Sequence, residues 1–271
     1  MKIFDIHTHI YPDAIAQRAV ASLGEFYNFV PQGAGTYADM TEHARVGSVG
    51  GFLLFCVATN AHQVPKVNDA IAAAVRRGRE DGFVSVGFAG MYQDYPDFEG
   101  EIDRCEKLGL RGVKIHPDIQ RIDIDDPKFF PLYEILEGRM PVYFHMGDDR
   151  PQYPFSQAKK LAHVLRLFPR LEVVAAHLGG YRRQDEAIEY LAGNPRVWYD
   201  TSSALWYLAP EEASRIIGRL GAETVMFGTD YPVMYPVDSM VLFDRLTLTD
   251  KQKEDILWNN AMRFLHLNET P

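Results

Sequence analysis

Eight short apolar segments recur along the chain at intervals of about 30 residues, and this rhythm restricts the possible folds more than any other feature. The segments lie at 3–6, 51–58, 83–89, 110–115, 141–144, 171–176, 196–199 and 224–227. Each has the length of a strand, and most of the intervening segments place apolar residues three or four positions apart, as amphipathic helices do. Strand and helix alternating in this way predict an α/β fold, a closed (β/α)8 TIM barrel of parallel strands.

Helical patterns occur at 67–79, 97–107, 129–136, 156–168, 181–191, 210–219 and 238–246, and the tail 249–267 is also predicted to be helical. Residues 11–39 interrupt the rhythm with Pro31, Gly33 and Gly35, which predicts an active-site loop or short helical flap over the barrel mouth. A doubly wound open sheet is the alternative, but no Gly-rich phosphate loop follows the first segment. No linker interrupts the chain, so we expect one domain over 1–271.

The composition indicates the cellular compartment of the protein and the classes of partner that it disfavours. The chain has 271 residues, of which 46% are hydrophobic, and its formal net charge of -9 disfavours a nucleic-acid surface. It contains two distant cysteines, no signal peptide pattern and no apolar run near the length of about 20 residues that a membrane helix needs. We therefore expect a cytoplasmic protein that acts on a small molecule, without membrane or nucleic acid. A homo-oligomer is compatible with the sequence, which does not specify the oligomeric state.

Five histidines directly follow an apolar segment, and they are His7, His9, His116, His145 and His177. The carboxyl ends of barrel strands form the face that carries the active site in TIM-barrel enzymes. Asp230 follows the eighth segment, which neighbours the first segment in a closed ring. Any one of these histidines alone is more simply a hydrogen-bonded core residue, but their repetition at the same place indicates a metal site. Imidazole and carboxylate ligands suit zinc and other divalent first-row metals.

Strand geometry predicts the direction of the side chains in the first segment. Neighbouring side chains of an extended strand alternate between its two faces. We therefore expect Asp5, His7 and His9 on one face, and Phe4 with the residues between them on the other. Two imidazoles on one face can reach a single metal ion.

The fourth segment presents an unusual inward pair. By the same alternation, Lys114 and His116 point into the barrel while the apolar residues beside them face the helices. A lysine inside a barrel is expensive to desolvate and needs a partner or a function. An ion pair with an inward carboxylate such as Asp5 or Asp200 is the simpler alternative.

Several motifs in a fixed order resemble those of a known superfamily. They are H-x-H at 7–9, G-V-K-I-H-P at 112–117, F-H-M-G at 144–147, A-H-L-G-G at 176–180, G-T-D-Y-P at 228–232 and N-A-M-R-F-L at 260–265. In this order they resemble the amidohydrolase superfamily, in particular the amidohydrolase-related branch that includes aminocarboxymuconate-semialdehyde-type decarboxylases. The resemblance covers nearly the whole chain.

The resemblance implies one divalent metal ion, usually zinc, with His7, His9, His145 and Asp230 as ligands. It also implies that His177 is a general acid/base that polarises a carbonyl group. Relatives with two ions carry a carboxylated lysine at the end of the fourth strand. In that alternative Lys114 and His177 would hold the second ion.

The sequence favours hydrolysis, in which a metal-activated water attacks an amide, lactone or ester carbonyl of a small anionic molecule. Asp230 would carry the proton to the leaving group. Lys114, His116 and Arg182 would bind the anionic group, unless Arg182 simply begins an exposed helix.

Non-oxidative decarboxylation of an unsaturated or aromatic acid is the alternative, with the same ligands and His177 as proton donor. The inward Lys-x-His pair favours hydrolysis, since the resemblance implies that decarboxylases of this branch lack it. A metal-free binding protein on a barrel scaffold is an alternative from another class, disfavoured by the complete ligand set. Specificity is expected in the loops 11–39 and 146–154. Aromatic residues that would either line a pocket there or only pack are Tyr11, Phe26, Tyr27, Tyr153 and Trp206.

Overall fold

The computed structural model describes residues 2–267, and within them nine parallel strands form a three-stranded sheet and a six-stranded sheet. The strands are β1 (Ile3–His9), β2 (Val49–Phe55), β3 (Val84–Gly87), β4 (Ala89–Gly90), β5 (Val113–Ile115), β6 (Val142–Phe144), β7 (Val173–Ala175), β8 (Val197–Asp200) and β9 (Val225–Met226). β3 pairs with β2, and β4 pairs with β5. Only Phe88 separates β3 from β4, so together they make one of eight barrel strands.

The ring closes between β1 and the segment that follows β9. The amide N–H of Ile6 donates to the carbonyl of Phe227 at 2.9 Å, and that of His9 donates to Tyr231 at 2.7 Å. Thr8 and Tyr231 form a parallel bridge at the same place. The predicted α/β barrel is therefore confirmed, and the alternative of an open sheet is wrong.

Helices surround the barrel, and seven of those within residues 2–267 lie at the seven predicted helical segments between residues 67 and 246. They are α1 (Asp13–Tyr27), α2 (Tyr37–Val46), α3 (Val64–Glu80), α4 (Phe98–Lys107), α5 (Pro117–Gln120), α6 (Phe130–Leu136), α7 (Ala158–Leu167), α8 (Gln184–Tyr190), α9 (Pro210–Leu220), α10 (Pro236–Asp244), α11 (Asp250–Glu254) and α12 (Asn260–Phe264). None of them is both long and apolar enough to cross a membrane.

The inserted segment 11–39 is more regular than the predicted loop or short flap. It contains all of α1, a helix of 15 residues with four alanines, which are strong helix formers. Helix α1 ends at Asn28, whose φ of 57° is the left-handed conformation that asparagine tolerates well. Helix α2 was not predicted, although Thr36 caps it by accepting the N–H of Asp39 at 3.2 Å.

Alternate residues of the strands pack into two separate layers. Phe52, Leu54 and Val113 belong to the cluster shared with the surrounding helices. Leu53 and Phe55 belong to the cluster inside the barrel. This arrangement follows from the two-residue period of a strand that is buried on both faces.

Strand β1 departs from that period, and one sequence prediction is wrong because of it. Its pairing with β2 shifts register between Asp5 and Thr8, so β1 carries an extra residue there. Ile6 packs in the interior cluster, and the next residue, His7, also places its ring against interior Phe55 at a centroid distance of 5.1 Å. The expected opposition of Ile6 and His7 is therefore absent from the described strand.

The Asp5 carboxylate stabilises the irregularity in β1. It accepts the N–H of His7 at 3.1 Å, the N–H of Thr229 at 3.0 Å and the hydroxyl of Thr229 at 2.6 Å. Burial raises the pKa of Asp5 to about 7, although these hydrogen bonds and His7 lower it. Asp5 thus supports the histidine motif from outside the candidate site.

The C-terminal segment closes the end of the barrel opposite the histidines. Helix α11 begins with Thr249, whose hydroxyl and backbone form a capping box with Gln252. A π-helical turn (Asp255–Asn259) leads into α12. Trp258 in this turn packs on Phe4 at the start of β1 with a centroid distance of 6.0 Å. The predicted tail helix therefore exists, interrupted by the π turn, and the functional site lies at the other end.

Candidate metal centre

The carboxyl ends of the strands open into a cavity of about 1040 Å³. His9, His116, His145, His177 and Asp230 line its floor. One wall comes from α1, which contributes Ile15, Arg18, Ala19, Ser22, Leu23, Phe26 and Tyr27. The inserted segment therefore covers the mouth, as extra length after the first barrel strand leads us to expect.

Three ligand atoms converge at one corner of this floor. Nε2 of His7 lies 3.2 Å from Nε2 of His9 and 3.1 Å from Oδ1 of Asp230. Nε2 of His9 lies 3.6 Å from the same oxygen. Metal–ligand bonds of about 2.1 Å in a tetrahedral site separate neighbouring ligand atoms by about 3.4 Å. The three atoms therefore fit a divalent ion and leave a further position for a substrate oxygen.

Two other groups of side chains are less suited to an ion. His116, Asp118 and His145 approach one another, but the imidazoles of His116 and His145 stack at 3.9 Å with 8° between their planes. Parallel rings direct their lone pairs side by side, so they do not converge on one ion. His7 also approaches His177 and Asp200, but there it uses Nδ1, which is hydrogen-bonded to Asp200 at 3.0 Å.

The position of His145 differs from the expectation drawn from the resemblance. Its Nδ1 lies 3.0 Å from Nε2 of His177, and its Nε2 lies 3.2 Å from the hydroxyl of Tyr27. Both ring nitrogens therefore have partners away from His7, His9 and Asp230. The structure groups His145 with the neighbouring imidazoles and does not bring it to the three converging atoms.

Electrostatics support a cation beside His7. Burial and Lys114 lower the pKa of His7, but Asp230 and Asp200 raise it, and the net shift is upward. Burial and the charge of His7 hold the pKa of His9 well below its usual value, so His9 is a neutral ring with a lone pair to donate. Two carboxylates around neighbouring imidazoles therefore offer a site for positive charge.

Asp230 is held by a residue that the sequence analysis missed. The Ser203 hydroxyl donates to Oδ2 of Asp230 at 2.6 Å, which leaves Oδ1 toward the two histidines. Burial raises the pKa of Asp230, but the nearby His7 lowers it by more. The net pKa is well below the usual range, so the group is an anion. Asp230 has a φ of 61°, a left-handed conformation that is uncommon in residues other than glycine.

His177 is anchored beside His7 at the same floor. Its Nδ1 lies 2.9 Å from the carbonyl oxygen of Ser202, and its ring stacks on His7 at a centroid distance of 5.2 Å. Its φ of 61° is again left-handed. Strained conformations of this kind cluster at functional sites, and here two of them face one cavity.

Lys114 points into the barrel as predicted but does not line the cavity. Its ammonium lies 4.7 Å from the ring centroid of Phe55 and 4.4 Å from that of Tyr143, and Nζ has no hydrogen-bond partner within residues 2–267. Burial lowers its pKa to about 7, although Asp230 and Asp200 raise it. The alternative of an ion pair with Asp5 or Asp200 is not found there, and direct contact of Lys114 with a substrate has no support from this geometry.

The other residues expected to bind substrate do line the cavity. His116 lies on the floor, and Arg182 lies at the rim, where its guanidinium packs over Tyr207 at 4.8 Å and pairs with Asp149 at 3.7 Å. Arg18 and Lys66 also line the cavity and were not predicted. Both lie on helices, where the spacing of apolar residues predicts which face is buried. That spacing does not predict where a long polar side chain points.

Tyr11, Phe26, Tyr27 and Trp206 line the cavity, whereas Tyr153 packs behind it on Phe26 with a centroid distance of 4.9 Å. The supporting serines were detectable in part, because 200–203 reads D-T-S-S directly after the seventh apolar segment. Polar residues at that place follow the same rule as the histidines of the other strands.

Comparisons with known proteins agree with this architecture. A family model described as amidohydrolase matches residues 4–267. A 2-amino-3-carboxymuconate-6-semialdehyde decarboxylase of Dictyostelium discoideum is 28% identical over 74% of this chain and 66% of its own length. The chain thus spans slightly less than two thirds of that relative.

Two similar solved structures share the fold. An uncharacterised TIM-barrel protein of Bordetella bronchiseptica is 22% identical with a TM-score of 0.75, covering 98% of this chain and 99% of its own. A dihydroxybenzoic acid decarboxylase of Polaromonas, solved with bound manganese and the inhibitor 2-nitroresorcinol, is 15% identical with a TM-score of 0.73, covering 99% and 98%. At these identities the similarity concerns the fold.

Proposed function

Because this chain belongs to the amidohydrolase family, we propose that it is a metal-dependent decarboxylase of a small unsaturated or aromatic carboxylic acid. The observation that carries the proposal is the convergence of His7 with His9 and Asp230, two residues that line the floor of a large cavity together with His177. A relative and a similar structure that bear the name decarboxylase support the reaction class. They do not specify the substrate of this protein.

His7, His9 and Asp230 are the proposed metal ligands. A divalent ion held there, zinc or manganese, would supply positive charge that binds and orients the oxygen atoms of the acid. Asp200 orients His7 through Nδ1, and Ser203 orients Asp230 through Oδ2, so each ligand presents one chosen atom. His145 remains outside this proposed set because its ring nitrogens face His177 and Tyr27.

His177 is the proposed carrier of the proton that the reaction consumes. The carbon–carboxyl bond breaks, carbon dioxide leaves, and the ring or alkene carbon that bore the carboxylate gains one proton in its place. Ser202 fixes Nδ1 of His177, so Nε2, which lies 3.0 Å from Nδ1 of His145, is the nitrogen left for that transfer. Asp230, bound between Ser203 and the histidines, is a ligand in this scheme and not the main proton carrier.

The walls of the cavity suit such an acid. Phe26, Tyr27, Phe29 and Trp206 supply aromatic surface around the floor. Asp230 is the single carboxylate among the described residues that line the cavity, whereas three cations line it, namely Arg18, Lys66 and Arg182. In a protein with a net charge of -9 this local excess of positive charge favours an anionic substrate.

Hydrolysis has less support than the sequence suggested. Its main argument was an inward Lys-x-His pair acting on substrate, and Lys114 does not line the cavity. Amide, lactone and ester cleavage is therefore the competing outcome in the test.

The test uses the metal-loaded protein and a panel of aromatic and unsaturated acids labelled with carbon-13 at the carboxyl group. Release of labelled carbon dioxide is expected from at least one acid. His177→Asn should abolish it, whereas His163→Asn, on the outer face of α7, should not. Cleavage of the matched esters, lactones or amides without any carbon dioxide release would reject decarboxylation in favour of hydrolysis.

A further inference from the structure

Helix α1 covers the cavity with little support from the core. Only Ala16 and Gly24 of its fifteen residues are buried, whereas α3, with seventeen residues, buries eight. The residues of α1 that line the cavity recur every three or four positions from Ile15 to Tyr27, so they form one face of the helix. Because that face meets the cavity and not packed side chains, separating α1 from the barrel exposes less apolar surface than separating α3 would.

The segment that contains α1 is fixed to the barrel at its two ends. The N–H of Tyr11 donates to the carbonyl of Gly35 at 2.8 Å, which closes the base of the segment. The N–H of Gly33 donates to the carbonyl of Pro232 at 2.9 Å, next to the ring closure. Any movement of α1 is therefore a rotation about this base. The last turn of α1 lies about 20 Å along the helix from its start, so it moves furthest.

Arg150 holds the last turn of α1. Its Nη1 donates to the carbonyl oxygen of Phe26, and its guanidinium packs over the rings of Phe26 at 4.7 Å and Tyr27 at 5.1 Å. The carbonyls of a last helical turn have no partner within the helix and carry a partial negative charge. The last turn of α1 has no basic residue of its own. Arg150 therefore supplies, from another loop, the positive charge that this helix end lacks.

Arg150 is oriented by contacts within its own loop. The Asp148 carboxylate accepts Nε of Arg150 at 2.9 Å, Nη2 at 2.6 Å and the backbone N–H at 2.9 Å. Asp148 is buried, and the guanidinium lies over the ring of Tyr153 at 4.2 Å. These contacts lie within residues 148–153, so they do not depend on the position of α1. Nη1 is thereby presented to the helix carbonyl in one fixed direction.

The position of the last turn decides how far the cavity is enclosed. The hydroxyl of Tyr27 lies 3.0 Å from Nε2 of His116, so at this end α1 reaches from the rim to the floor. Asp149 follows the residue that orients Arg150 and pairs with Arg182 at the rim at 3.7 Å. The loop 146–154 therefore contacts both α1 and a second part of the cavity wall.

We propose that α1 is a lid over the cavity and that Arg150 is the positioning residue that holds it closed. Rotation of α1 about its base breaks the contact with the Phe26 carbonyl and opens the cavity, and its return encloses a bound small molecule. The movement of the lid does not depend on the reaction. Only its effect on turnover rests on the decarboxylation proposed above.

Hydrogen exchange of the full-length, metal-free protein, measured by mass spectrometry, tests the lid. A helix of this length is marginal in water on its own, so its amides exchange while the lid is open, and α1 should exchange faster than α3. Arg150→Lys keeps a positive charge beside Asp148 but lacks the planar fork that binds two partners at once. It should speed exchange in α1 about tenfold or more, the usual contribution of a hydrogen bond from a charged group, and leave α3 unchanged.

Arg121→Lys is the matched control. The guanidinium of Arg121 packs on the same Tyr153 ring at 5.7 Å and, within residues 2–267, forms no hydrogen bond to α1. This variant should leave exchange in α1 unchanged. Exchange in α1 as slow as in α3, or no change in Arg150→Lys, would overturn the proposal. An equal acceleration of α1 and α3 would also overturn it, because Arg150 would then support the whole fold and not the lid.

Turnover of the acid that releases most labelled carbon dioxide in the panel above provides the second measurement. Arg150→Lys should raise KM about tenfold and change kcat less than about twofold, because a less populated closed state weakens binding while the floor is unaltered. Arg121→Lys should change neither. A loss of kcat at unchanged KM would overturn the role of the lid in binding. If no acid is decarboxylated, the proposed function fails while hydrogen exchange still decides the role of α1.

Discussion

Oδ2 of Asp200 lies 3.0 Å from Nδ1 of His7, on the side of the ring opposite to the candidate metal position. A histidine ligand whose second nitrogen is bound to a carboxylate keeps one orientation and binds metal through the other nitrogen. Burial raises the pKa of Asp200, but the nearby His7 lowers it by more. The net pKa is below the usual value, so Asp200 is an anion at neutral pH. Asp200 therefore orients the imidazole of His7 through Nδ1, and the carboxylate of Asp230 lies beside Nε2, where the metal would bind.

His7→Ala and Asp230→Ala should each abolish activity and lower the metal content of the purified protein. Each removes one of three converging atoms, and even supporting residues of metal sites contribute about tenfold or more in affinity. Metal analysis by atomic absorption checks this. His62→Ala, at an exposed position, should retain full metal content. Normal metal content together with full activity in either site variant would refute the assignment.

Ser203→Ala should weaken metal binding about tenfold, because Oδ2 of Asp230 loses its only side-chain donor among the described residues and the carboxylate can rotate. Titration with zinc or manganese against a competing chelator measures the affinity. Ser22→Ala, at another cavity-lining serine, should not change it. Ser203→Gly also removes the hydroxyl and suits the left-handed φ of 49° at this position, so it should lose about the same affinity, and unchanged affinity in both variants would argue against the hydrogen bond.

Lys114→Met should stabilise the metal-free protein at neutral pH by a few kcal/mol, since each pKa unit corresponds to about 1.4 kcal/mol. The pKa of Lys114 is lowered from 10.5 to about 7, so between these values the unfolded chain binds a proton that the folded protein lacks. The free energy of unfolding therefore rises with pH in this interval through Lys114.

Denaturant unfolding of both proteins at several pH values measures the difference between them. The advantage of Lys114→Met should be fully present below pH 7 and should fade as pH rises toward 10. An advantage that does not depend on pH would mean that Lys114 is not a buried amine with a lowered pKa.

Removal of metal by a chelator should abolish activity and lower the melting temperature. A ligand at about a hundred times its dissociation constant stabilises the folded state by about 2.7 kcal/mol, which corresponds to about 5–10 °C in a protein of this size. Thermal unfolding at increasing zinc or manganese concentration checks this. The same titration of Asp230→Ala should show no shift, and an equal shift would locate the ion elsewhere.

The barrel was predictable because each strand is buried on both faces and each helix on one. This leaves runs and periodic stripes of apolar residues at regular intervals. The inward direction of Lys114 followed from the same alternation. Helix α2 escaped prediction, because its buried positions include Tyr37, Thr41 and Ala44, which do not form a clear apolar stripe.

The positions of the site residues were predictable only in outline. The carboxyl ends of the strands collect His9, His177 and Asp230 on one floor and place His7 against them, as the topology requires. The direction of each ring depends on contacts between distant segments, such as the approach of Tyr27 to His145, which no local pattern encodes.

The irregular pairing of β1 determines what a protein engineer would have to move to rebuild this ligand pair in another barrel. In a regular strand Ile6 and His7 face opposite sides. If the two histidines alone were transplanted into a regular strand of another barrel, the extra residue of β1 would be missing, and one floor residue would be displaced. Asp5 would have to accompany them, because its carboxylate holds the N–H of His7. Thr229 would have to follow, because it donates twice to that carboxylate from across the ring closure. The smallest portable unit is therefore a pair of neighbouring chain segments and not the H-x-H motif.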